Sequence, residues 1–245
     1  MDDRTCVVTG SSRGIGRGIA ECFGKQGANV VVNYRRSESD AHEVVDRIES
    51  TDGRAIAVQA DVTDQEEVTA MQEATQEAFG RADVVVNNAG INQDVLFSEM
   101  SHEQWDTVLD IHLDGAFHST QAFYDDIAAA EEGRLINISS IVGKGGNMGQ
   151  ANYATAKSGI FGFTKTLALE LAGEGSTANC VAPGFIATSM LDSVPDRLKE
   201  DITEDTPLGR LGTVKEVAEV VGFLASKKSS FITGEVIDVN GGKDL

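Results

Sequence analysis

The chain has 245 residues, with 39 Asp or Glu against 20 Lys or Arg, a net charge of −19 and a pI near 4.5. Such a surface repels polyanions, which argues against nucleic acid and anionic membrane as partners, and no apolar run approaches the roughly 18 residues of a membrane span. The length suits one large domain with an ample core. Residues 4–9 predict a short buried strand. A glycine-rich turn, Gly10-Ser11-Ser12-Arg13-Gly14-Ile15-Gly16, leads into a helix that runs to about Gln26 and stops at Gly27-Ala28. Val30-Val31-Val32 reads as a second strand, 38–51 as helix, 54–59 as strand, and 64–79 as helix with Asp61 or Thr63 near its start. Val84-Val85-Val86 is a fourth strand, and one long helix covers about 101–129. A strand at 135–139, a long helix at 151–172 and a strand at 176–181 ending at Pro183-Gly184 follow. Helices at about 191–205 and 213–226 and a strand at 236–239 complete the pattern.

Strands of continuous Val and Ile are buried on both faces, as in a parallel sheet. Their alternation with helices predicts a doubly wound α/β fold: a seven-stranded parallel sheet with helices on both faces. Residues 1–245 read as a single domain. The irregular stretch 185–212, with Pro195, Pro207, Gly209 and Gly212, is expected to form a flap over a site. Cys6, Cys22 and Cys180 are odd in number, far apart and set among apolar residues, with no metal-ligand spacing. They predict buried free thiols in a reducing cytoplasm. Met1-Asp2-Asp3-Arg4 carries no signal-peptide pattern. The acid excess suits solubility in concentrated salt, so a halophilic source is expected.

The glycine turn lies between the first strand and first helix, where a Rossmann sheet binds a dinucleotide pyrophosphate on unpaired helix N–H groups. Gly10, Ser12, Arg13, Gly14, Ile15 and Gly16 are therefore candidate cofactor contacts. The end of the second strand selects the cofactor: a carboxylate there holds the ribose 2′-OH of NAD, an arginine the 2′-phosphate of NADP. Here the residues are Asn33-Tyr34-Arg35-Arg36, with Arg13 in the turn, which predicts NADP(H) held in part by Tyr34 and Arg35. The alternative is that Arg35 and Arg36 pair with Glu38 or Asp40. Tyr153 and Lys157, four residues apart in Gly149-Gln150-Ala151-Asn152-Tyr153-Ala154-Thr155-Ala156-Lys157, share a helix face. A phenol with a free pKa near 10 needs a nearby cation to serve as an acid–base group at working pH.

With Thr9-Gly10-x-x-x-Gly14-x-Gly16, Asp61-Val62, Asn87-Asn88-Ala89-Gly90, Ser140, Tyr153-x-x-x-Lys157 and Pro183-Gly184 in order, the chain resembles the short-chain dehydrogenase/reductase family over essentially its full length. The resemblance implies that Ser140 orients a substrate carbonyl, Tyr153 protonates its oxygen, and Lys157 holds the nicotinamide ribose and lowers the Tyr153 pKa. It implies adenine contacts at Asp61 and Val62 and a wall beside the ribose at Asn88, Ala89 and Gly90. A carboxamide contact at Ile186, next to Pro183-Gly184, follows in the same way. The family usually has Asn where this chain has His112, in Ile111-His112-Leu113-Asp114-Gly115. An active enzyme with an altered relay is expected, His112 either facing the relay water or carrying protons itself through a pKa near working pH. His118, Ser119 and Asp114 lack the strand–turn setting of a hydrolase nucleophile.

Within the family the chain is most similar to 3-oxoacyl thioester reductases, on Asn87 to Asp94, Ile138 to Gly143, Gly149 to Tyr153, Ala182 to Met190 and Val239 to Gly242. An acidic acyl carrier protein is poorly matched to a chain of charge −19. The expected substrate is therefore the coenzyme A ester: acetoacetyl-CoA reduced to (R)-3-hydroxybutyryl-CoA, as in polyhydroxyalkanoate supply. The acyl-carrier-protein reductase is the alternative, and a silent nucleotide-binding scaffold a remote one. The long helices at 101–129 and 151–172 resemble those that pair across two-fold axes in this family, so a homotetramer is expected.

Overall fold

The computed structural model describes residues 1–188 and 196–243. Residues 189–195 of the expected flap, Pro195 among them, lie outside the described residues, as does Met190 of the thioester-reductase segment. Seven strands pair in parallel in the order β3-β2-β1-β4-β5-β6-β7. They are β1 Thr5–Val8, β2 Asn29–Tyr34, β3 Arg54–Gln59, β4 Val84–Asn87, β5 Arg134–Ile138, β6 Thr177–Pro183 and β7 Val236–Val239. The order reverses beside β1, which pairs with β2 on one side and β4 on the other: Val7 lies opposite Val31 and opposite Val85. The carboxyl ends of β1 and β4 therefore open a crevice, where such sheets take their ligands.

Side chains alternate across the strands and feed two cores. Cys6, Val8, Val30, Val32, Val84, Val86 and Ile136 pack against α1 (Gly14–Gly24), α2 (Glu38–Glu49) and, late in the chain, α9 (Val214–Ala225). Val7, Val31, Val85, Leu135 and Ala178 pack against α3 (Gln65–Phe79), α5 (Gly115–Ala129) and α7 (Ala151–Leu171). Both faces are covered, which is why the strands read as unbroken Val and Ile. Close packing of α1 against α9 depends on Gly18, since a Cβ there would overlap the Val214 side chain.

The start of α3 is capped by Asp64, whose carboxylate accepts from Glu66 N and Glu67 N, with Asp61 and Thr63 just ahead of it as expected. Two local features differ from the sequence expectation. The expected helix 101–129 divides into α4 (His102–Leu109), a π turn at Asp110–Asp114 and α5, with Gly115 N–H reaching back to Asp110 O. Single π turns of this kind recur at functional sites. A short helix α6 (Val142–Gly145), invisible in a stretch containing Gly143 and Gly145, follows β5. The described helix after β6 is α8, Asp196–Glu204. Among the described residues no helix is long and apolar enough to cross a membrane.

Candidate active site

The glycine turn is shaped for a close ligand. Gly10 and Gly14 have φ of +62° and +57°, which a side chain would strain. A Cβ at Gly16 would lie 2.6 Å from Gly10 O. Asn33 Oδ1 accepts from Gly10 N at 2.9 Å, fixing the turn to β2. Thr9 Oγ1 accepts from Asn88 N and Ala89 N, and Asn88 Nδ2 donates to Thr9 O at 2.9 Å. The segment after β4 is thus sewn to the turn. No side chain caps the α1 N-terminus, so its first N–H groups are available to an anion.

The neighbouring charges are arranged differently from the sequence alternative. Arg35 pairs with Asp61, Nε to Oδ2 at 2.6 Å, and not with Glu38 or Asp40. Asp61 also accepts from the Thr63 hydroxyl at 2.8 Å. Among the described residues, Arg13 and Arg36 are exposed and have no ion pair or side-chain hydrogen bond. Val62 is buried, and its carbonyl meets His118 Nδ1 at 3.1 Å. Tyr34, at the end of β2, is largely buried and packs in the core cluster with Val32, Ala41 and Val45. Val30, Val32 and Tyr34 share one strand face, and that period carries the signal.

The other half of the crevice is built by β5, α6 and α7. Lys157 is 4% exposed, and its ammonium donates to Ile138 O at 2.7 Å. Its Nζ lies 5.6 Å from the centre of the Tyr153 ring. Ser139 Oγ donates to Lys157 O at 2.7 Å, locking strand to helix. Ser140 Oγ accepts from Val142 N at 3.2 Å, and its hydroxyl lies near enough to the Tyr153 phenol to pull against the upward shift of that group. Ser140, Tyr153 and Lys157 therefore come together. Burial pushes Lys157 down to about 8. Burial pushes the Tyr153 phenol up to about 12, against the opposing pull of Ser140. In the free protein the direction of the phenol's shift is therefore set by burial, with Ser140 opposing it and the Asp94 charge adding to it.

His112 lies on the π turn and is 4% exposed. Its Nε2 is 2.9 Å from Ile91 O and 3.2 Å from Ile91 N. Its ring meets that of Tyr153 edge to face, with centres 5.3 Å apart. Burial first, and Lys157 second, drive its pKa down to about 3. Of the two readings of His112, that direction counts against the one in which the ring itself carries protons and leaves the one in which it faces the relay water. A cavity of about 10 Å³, room for one water, is lined by Thr9, Asn87, His112 and Lys157. Asn87 Oδ1 has no partner among the described residues.

Ile186, buried at the flap base, bridges to Gly212, with Ala187 N donating to Gly212 O at 2.9 Å. Pro183 ends β6, and Gly184 N donates to Val239 O at 2.9 Å. His118 and Ser119 form no nucleophile pair: Ser119 is fully buried and His118 faces Val62. Cys6 and Cys180 are buried free thiols, Cys180 pushed up to about 12, while Cys22 is only half-buried beside Gln26.

Two asparagines shape the site without a role assigned to them from sequence. Fully buried Asn152 donates to Gln93 O and Gln104 O and accepts from Tyr153 N. Asn137 accepts from Asn87 and donates to Thr164 Oγ1 beneath the cavity. A polar residue inside an apolar strand or helix face is the available signal.

A family model described as "Enoyl-(Acyl carrier protein) reductase" matches residues 10–244. A Staphylococcus aureus protein named 3-oxoacyl-[acyl-carrier-protein] reductase FabG is 46% identical over 239 residues, 98% of this chain and 97% of that one. Its Staphylococcus epidermidis namesake is 45% identical over 240 residues, covering 98% of both chains. A Synechocystis protein named 3-oxoacyl-[acyl-carrier-protein] reductase is 45% identical over 240 residues, 98% and 96%. On the sheet order, the glycine turn and these full-length matches, the chain belongs to the short-chain dehydrogenase/reductase family.

Proposed function

We propose that the protein is an NADPH-dependent reductase of 3-oxoacyl thioesters, acting on the acyl carrier protein ester. The observation that carries this reading is the cluster of Ser140, Tyr153 and Lys157 at the crevice of a chain whose full-length relatives are named for that reaction. Bound NADPH would supply the hydride. The Tyr153 hydroxyl, held protonated across working pH, is the proton donor to the carbonyl oxygen, and the Ser140 hydroxyl aims that oxygen at it. Lys157 places a cation beside the charge that develops.

Net charge alone points instead to acetoacetyl-CoA, reduced to the (R)-3-hydroxy ester for polyhydroxyalkanoate supply. The names of the relatives weigh against that preference, and physics permits it: docking depends on local cations, not on the total. Initial rates with acetoacetyl-acyl carrier protein and acetoacetyl-CoA decide between them. A higher kcat/KM with the carrier-protein ester is expected, and a higher value with the coenzyme A ester restores the other reading.

For the cofactor, support comes from the unpaired Arg13 and Arg36 at one end of the crevice, in a chain so rich in acids. Cradling glycines and an uncapped helix fit a pyrophosphate. Arg13→Ala and Arg36→Ala should each raise KM for NADPH by roughly tenfold, the worth of one charge-assisted contact. KM for NADH should stay put. Equal effects on both cofactors would point to NAD.

A further inference from the structure

We propose that His112 is a positioning residue for Tyr153: it clamps Ile91 to the π turn and presents its ring edge to face against the phenol ring. The proposal rests on the reductase reading above. Three contacts converge on this one side chain. Nε2 reaches both the carbonyl and the N–H of Ile91, at 2.9 and 3.2 Å, so either neutral tautomer is held. The ring is seated against Gly90, where an added Cβ would overlap Cε1 and lie 2.8 Å from Nδ1. Its other neighbour is the Tyr153 ring at 5.3 Å and 84°.

The clamp has a counterpart at the far end of the same segment. Asn152 Nδ2 donates to Gln93 O, Gln150 Nε2 donates to Asp94 Oδ1, and Val95 N donates to Gly149 O. Residues 91–95 are thus fastened to the π turn at one end and to the start of α7 at the other. Tyr153 lies between the fastenings, its own N–H held by Asn152 Oδ1 at 2.8 Å. The His112 fastening does not lose its bonds to a proton at working pH, since burial and, after it, the Lys157 charge keep the imidazole uncharged. A proton donor must be held to within tenths of an ångström of its productive position, and displacement by about 1 Å can lose a factor of about a hundred.

The test uses the full chain, with NADPH and the better thioester. The variants are His112→Ala, His112→Gln, Gly90→Ala and the Gly90→Ala/His112→Ala double. His112→Ala should lower kcat about tenfold with KM for NADPH unmoved, and speed hydrogen exchange at 91–95. His112→Gln, which keeps a hydrogen-bonding group near Ile91, should recover most of both. Gly90→Ala, which displaces the ring, should reproduce the His112→Ala loss and add little to it in the double variant. The pH–rate midpoints should not move. Unchanged kcat or unchanged exchange in His112→Ala overturns the proposal. So does loss of one limb of the pH profile in both His112 variants, which would make the ring a proton carrier. If His112→Ala does not fold, Gly90→Ala and His112→Gln decide. A wild-type protein inactive on every 3-oxoacyl thioester defeats the functional reading, while exchange at 91–95 still shows whether the clamp exists.

Discussion

Tyr153→Phe is expected to lower turnover by about a thousandfold while NADPH still binds. The substitution removes one oxygen from a side chain whose ring packs against His112 and whose backbone is held by Asn152. Those contacts survive in Phe, so the fold is preserved. What disappears is the proton donor, and with it the partner of Ser140. Removing a positioned acid loses about a hundred- to ten-thousandfold. In the proposed reading, nucleotide binding depends instead on the glycine turn, Asn88 and the exposed arginines Arg13 and Arg36. NADPH fluorescence titration should therefore give an unaltered Kd. Unchanged turnover in Tyr153→Phe would remove the enzymatic reading and leave a nucleotide-binding scaffold.

Lys157→Met should do two opposite things. It should lower activity by about a hundredfold or more, because the cation beside the carbonyl oxygen is gone. It should also stabilise the unliganded protein at pH 7. The folded pKa of about 8 lies below the unfolded value of 10.5. Below pH 8 both states hold the proton, and the native state bears the full penalty of a buried ammonium, about 3 kcal/mol. Between about pH 8 and 10.5 the unfolded chain binds more protons, so stability contributed by this site climbs with pH. Above that range the penalty is gone. Methionine removes the penalty at all pH, and losing the bond to Ile138 O takes back about 1 kcal/mol. Thermal melts should show Tm higher by a few degrees at pH 7, with the difference shrinking by pH 10. A lower Tm at pH 7 would mean that the Ile138 bond outweighs desolvation.

The strands were legible because Val30–Val32 and Val84–Val86 are β-branched runs with no polar phase. The glycine turn was legible because Gly10, Gly14 and Gly16 fall between a strand and a helix, where the chain must turn tightly. The π turn was not: helix 101–129 has no proline, and one wide turn leaves the apolar spacing nearly intact. Sequence offered Arg35 as a phosphate contact, with pairing to Glu38 or Asp40 as the alternative; its carboxylate partner is instead Asp61, which β2–β3 pairing brings alongside. Pairing across strands depends on register, which local spacing does not contain. The proximity of Tyr153 and Lys157 was readable from a four-residue step. The direction of the phenol shift was not, since it depends on how much of the surrounding chain excludes water. For the same reason the proton-carrying reading of His112 is open in sequence, while burial in the fold counts against it.

A π turn holds one residue more than the α-helix around it. Deleting one residue between 110 and 114 would let the backbone close to ordinary α pitch while leaving α5 nearly in register, so Phe123 and Ile127 would keep their places against the sheet. The loss would fall on the turn itself, and the shortened chain should fold yet present Ile111 and His112 differently to the crevice.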